Sequence, residues 1–199
     1  MKAEGAALVM ALLVIVCLSG LGLGLIVASS TERQIAGNAR AAAAMELAAG
    51  AAIEGVLSEV AAVPDFGALL SGATSSFRDT TRQPVTSSRA IVDLDQVTSE
   101  LQSDASAAFP LGVNTPAWRL FAWGPLTELA GLAPRDSGAY VAVWLADDPA
   151  DGDGLPSVDA NGTIMLHSEA FGYGGTRRGV DAMIARAPAG VRVLSWRSH

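Results

Sequence analysis

The densest chemistry in the chain lies in Asp147-Asp148-Pro-Ala-Asp151-Gly-Asp153-Gly, which continues to Asp159-Ala-Asn161-Gly162. Carboxylates alternate there with glycines and other small residues that let a backbone fold back on itself. Clustered carboxylate oxygens are the donors that a hard cation such as Ca2+ takes, and Asp147, Asp151, Asp153 and Asp159 are the candidate ligands. The stretch is not an EF-hand. Counted from Asp151, the fifth place is Leu155 and the twelfth is Gly162, where that loop needs an oxygen donor and a bidentate glutamate. Two readings stand: a structural calcium site, or a solvated acidic turn between strands. Mutual repulsion of the carboxylates speaks for the cation, and neither reading requires a further cofactor.

The remaining reactive residue types form no recognisable constellation. His167 falls in a strand-like pattern and His199 is the last residue, neither with partners at metal or triad spacing. Both are expected to be structural or exposed. Asn161-Gly-Thr163 fits a glycosylation sequon, although Asn-Gly is also a common turn, which is the reading taken here. Trp118, Trp123, Trp144 and Trp196 are expected to be core anchors, with room for one on a partner surface. Cys17 is the only cysteine, so an intramolecular disulfide and a thiolate zinc site are both excluded. No Gly-x-Ser-x-Gly, P-loop or dinucleotide fingerprint occurs, and the expectation is a protein that is not an enzyme. A net charge of −7 argues against nucleic acid as a partner.

The elements around these residues are of two kinds. Ala6 to Thr31 is uncharged. Ala6 to Val27, as a helix, would be about 33 Å long, against a bilayer core of roughly 30 Å. Gly20, Gly22 and Gly24 fall inside this rod, either for close packing of neighbouring helices or as a weak stretch that yields during assembly. The helical pattern then continues through alanine-rich sequence. Ile35, Leu47, Ile53, Val56, Leu57 and Val60 form a sparse apolar stripe before Val63-Pro64 ends the helix. Residues 6–62 thus predict one rod with a membrane or filament-core segment at 6–28.

Residues 63–88 read as a loop or linker rich in Gly, Ser and Thr, and 89–199 as a soluble domain. Within that domain Arg89–Val97 predicts a first strand and Thr98–Ala108 a short helix. Trp118–Trp123 predicts a second strand, stopped by Gly124-Pro125. Tyr140–Leu145, Thr163–Phe171, Arg178–Ala187 and Val191–Trp196 predict further strands, with turns at Phe171–Thr176 and Ala187–Gly190. The fold class is α+β: a long N-terminal helix, apolar first and amphipathic second, packed on a C-terminal antiparallel sheet.

Two stretches carry a family likeness. The head Lys2-Ala-Glu-Gly5-Ala6-Ala-Leu-Val-Met-Ala-Leu-Leu is one. Glu32-Arg-Gln-Ile-Ala-Gly-Asn-Ala-Arg40, followed by Met45-Glu-Leu-Ala-Ala-Gly-Ala-Ala-Ile-Glu54, is the other. Together they resemble the type IV pilin-like proteins, specifically minor pilins of the PilX type, with their "ER-x-x-AGN-x-R" block. The resemblance covers about the first third of the chain.

That resemblance implies a leader at residues 1–5, cut by a prepilin peptidase after Gly5, and methylation of the new amino terminus on Ala6. It implies a single-pass protein of the bacterial inner membrane that the pilus assembly machinery extracts into a filament. The helix would then pack on the helices of other pilins. Major pilins usually begin the mature chain with phenylalanine and carry glutamate four residues later; here those positions are Ala6 and Met10. The departure moves the expectation to a minor or priming subunit of a type IV pilus-like filament. A pseudopilin of a type II-like secretion system, and a bitopic envelope protein with a ligand- or calcium-binding exported domain, remain as alternatives.

Overall fold

The computed structural model describes residues 2–86, 89–109, 114–129, 138–188 and 190–199, with side chains described from residue 8 and that of residue 173 excepted. Helix α1 runs Lys2–Ala62 without interruption, through Gly20, Gly22 and Gly24. Gly5 and Ala6 lie in its first turns, and their side chains are outside the described set, as are Met1 of the expected leader and residues 87–88 of the expected linker.

The chain divides into two compact units, Met1–Arg40 and Ala41–His199. In the first, every large apolar side chain from Leu8 to Val27 is exposed. A helix of this length and composition is apolar enough to cross a membrane.

In the second unit, Met45, Ala48, Ala49, Ala52, Ile53, Val56 and Val60 are buried. Their spacing of three and four places them on one side of the helix. The face differs from the expected stripe, since Leu47 and Ile35 are exposed. Alanines supply much of the contact because their short side chains let the helix lie close to the sheet.

The sheet is a five-stranded antiparallel meander in the order β1-β2-β3-β4-β5. Its strands are β1 Arg119–Pro125, β2 Tyr140–Asp147, β3 Thr163–Phe171, β4 Arg177–Ala187 and β5 Gly190–Ser198. Strand β2 is buried along its whole length, because both sheet faces are covered. Val141, Val143 and Leu145 join the α1 residues in one core. Tyr140, Ala142 and Trp144 join a second core with Leu94 and Val97 of helix α3, Leu94–Ala108. The two-residue period of the strand makes this division. Each buried Val, Ile or Leu contributes about 1.5–3 kcal/mol of transfer free energy.

Three expectations are corrected. Arg89–Val97 is not a strand: Ile91 makes one isolated bridge to Val85, and α3 then spans Leu94–Ala108. Asp93 caps α3, its Oδ1 accepting from the amides of Asp95 and Gln96 at 3.0 and 3.1 Å. Leu94 and Val97, with Leu101 behind them, recur at helical spacing.

Second, the connection after α1 holds a one-turn helix α2, Gly67–Leu70, with Leu69 and Leu70 buried. Third, Gly124-Pro125 ends β1 from inside, Pro125 still pairing with Tyr140. Residues 75–79 then run beside β1, with the Ser75 and Asp79 amides donating to the Phe121 and Trp123 carbonyls, so this edge of the sheet is covered. Ala189, in the expected Ala187–Gly190 turn, lies outside the described residues.

Candidate functional sites

Asp147 ends β2, and the acidic stretch forms the loop that returns the chain to β3. The loop is not a solvated turn throughout. Asp147 is 0%, Asp148 2% and Asp151 4% exposed, whereas Asp153 is exposed. Asp147, Asp151 and Asp153 each place a carboxylate oxygen within 4.8 Å of the others'. Asp159 is used differently: its Oδ1 accepts from the amides of Gly162 and Thr163 at 2.7 and 3.1 Å.

Most loop carboxylates accept backbone amides in the same way. The Asp151 carboxylate takes the Ala160 amide at 2.7 Å, and Asp148 takes the Ala150 amide at 3.1 Å. Asn161 is part of this fabric. Its Nδ2 donates to Asp148 at 2.7 Å and its Oδ1 accepts the Thr163 amide at 2.8 Å, in keeping with the turn reading of Asn161-Gly.

One residue from far along the chain enters the loop. The Nδ2 of Asn114 donates to the Asp147 carboxylate and, at 3.2 Å, to the Asp148 carbonyl. Nothing in the local sequence around Asn114 marks it, because the contact spans 33 positions. Burial, with Asp151 and Asp148 nearby, pushes the Asp147 carboxyl up to about 6 despite its hydrogen bonds. Burial likewise raises Asp159.

A second polar cluster sits on the α3 side of the sheet, and the sequence reading missed it. Trp144, His167 and Asp181 are aligned in register across β2, β3 and β4. His167 is 3% exposed. Its Nδ1 lies 2.7 Å from Asp181 Oδ1 and its Nε2 3.1 Å from Glu169 Oε1. Arg177 grips both oxygens of Glu169, its Nη2 donating at 2.6 Å to the same Oε1 and its Nε donating to Oε2.

The rings of Trp118 and Trp144 lie 5.8 and 5.7 Å from the imidazole, and His199 stacks on it at 5.6 Å. Gly179 makes room for His199, since a Cβ there would meet the His199 ring at 2.6 Å. Burial lowers the pKa of His167, but the two carboxylates outweigh it and the net shift is upward. Burial raises Glu169, yet bonds from His167 and Arg177 bring it below the ordinary value. Asp181 is also held down by His167.

His167, Asp181 and His199 are close enough to share a metal. Both nitrogens of His167 are engaged by carboxylates, however, an arrangement that favours the imidazolium over a neutral, metal-binding ring. The available signal was His167-x-Glu169, two polar residues on one face of a strand that otherwise reads as core. Among the described residues neither cluster pairs a nucleophile with a base. No protein-family model, curated protein or solved structure matches this chain.

Proposed function

We propose that the chain is a minor pilin of the PilX type, a structural subunit that primes or is incorporated in a type IV pilus-like filament after cleavage behind Gly5. The observation that carries this reading is the division of labour along α1. Its first half exposes the large apolar side chains from Leu8 to Val27, and its second half buries one face, Met45, Ala49, Ile53, Val56 and Val60, against an antiparallel sheet. Such a helix rests in a bilayer before assembly and among neighbouring subunits' helices afterwards. The exchange costs little, because lipid tails and apolar helices are similar solvents for leucine and valine. Ala6 and Met10, at places where bulk subunits carry phenylalanine and glutamate, favour a minor position over the shaft.

Intact mass spectrometry of the protein from its native membrane tests the proposal. The expected product has lost Met1–Gly5 and carries one methyl group on Ala6. A mature chain that keeps its first five residues sinks the filament reading and leaves a single-pass envelope protein. A chain beginning near Ser30 would mean a cleaved secretory signal.

A further inference from the structure

We propose that Asp147, Asp151 and Asp153 bind one Ca2+ ion together with the amide oxygen of Asn114, at the end of the sheet where β2 passes into the acidic loop. The proposal is independent of the filament reading. Its first ground is geometric: oxygens of the three carboxylates already lie within 4.8 Å of one another, a spacing one cation can bridge.

The second ground lies outside the loop. Asn114 is 1% exposed, and its Oδ1 has no hydrogen-bond partner, while the same amide's Nδ2 is fixed on Asp147. A buried amide oxygen without a partner carries a desolvation cost that a protein seldom leaves uncompensated. A cation at the head of the aspartates supplies that partner.

The third ground is charge. Asp147, Asp148 and Asp151 are buried, and among the described residues no arginine or histidine forms an ion pair with any of them. Arg186, whose backbone amide bonds the Gly162 carbonyl, sends its guanidinium over the Phe66 ring, 4.1 Å from the centroid. Buried anions are normally paired or metal-bound.

The donor set selects the ion. Carboxylates and an amide oxygen, with neither imidazole nor thiolate, suit a hard cation. A flexible loop of mixed carboxylate and amide donors suits calcium better than magnesium, which demands a tight octahedron and keeps its waters. Asp159 stands outside that group of three; its Oδ1 holds the amides of Gly162 and Thr163 and so shapes the loop.

The test is calorimetric titration of the full chain in detergent, stripped with EGTA, alongside thermal unfolding with and without about 5 mM calcium. That concentration exceeds the roughly 10⁻⁴–10⁻³ M dissociation constants of extracellular calcium modules. The expected result is one ion per chain and a Tm rise of about 5 °C, with a smaller rise for magnesium. Asp153→Asn, at an exposed position that leaves the core intact, should weaken binding about tenfold or more, and Asn114→Ala should weaken it as well. In EGTA, Asp153→Asn should melt at or above the wild-type temperature, because it relieves repulsion. No heat and no Tm change for the wild type at this calcium concentration would overturn the proposal. So would calcium binding that both variants leave unchanged.

Discussion

His167 shows how much one residue's role depends on what surrounds it. Alone in a strand it is an ordinary core histidine; between Glu169 and Asp181 it becomes the centre of a buried network that Arg177 extends. Its folded pKa is raised above an unfolded value near 6.5. The stability it contributes is therefore fully present below about pH 6.5 and is lost as pH rises through the folded value. Thermal unfolding should show a lower Tm at pH 8.5 than at pH 6, with His167→Gln flattening that decline. A variant that melts with the wild-type pH profile would show that the imidazole stays neutral. The network was only partly legible. His167-x-Glu169 could be read from strand periodicity, but Asp181 and His199 are brought to it by sheet register and by the close approach of β5 at Gly179.

Among the elements, α1 was the most legible and its buried face the least. Apolar composition and the absence of proline mark the helix to Ala62, but only packing decides which residues meet the sheet. Ile53 is 0% exposed and Leu47 75%, though both are large aliphatics on the same helix. Ile53→Ala should cost about 2–5 kcal/mol in chemical denaturation, whereas Leu47→Ala should stay within about 0.5 kcal/mol. Equal losses at the two positions would contradict the packing described. Helix α3 carries the complementary lesson. Arg89–Val97 alternates enough to read as a strand, yet Leu94 and Val97 also fit a helical period, and the Asp93 cap settles the segment from Leu94 as helix. Asp93→Ala should lower the Tm, and Asp93→Ser should restore much of the loss.

At the scale of the molecule, the segment Leu8–Val27 is apolar enough to cross a membrane, while the sheet unit has its own core, so each can be perturbed without the other. Leu18→Arg places a charge near the middle of the apolar segment, at a cost of about 2.5–3.5 kcal/mol to insertion. The variant should shift from the carbonate-resistant membrane fraction towards the soluble one, while the near-UV circular dichroism of the sheet unit's tryptophans is unchanged. Retention in the membrane at the wild-type level would mean that this segment is not the anchor. The sequence by itself determined the long helix, its apolar first half and the strand-rich remainder. These follow from local composition and periodicity, which any short window contains. The tertiary structure alone decided that Asp147 and Asp151 are buried, that Asn114 reaches them across 33 positions, and that His167 stands between two carboxylates. Burial and partnership between distant residues belong to the packed sheet, because desolvation and register exist only once the strands are side by side.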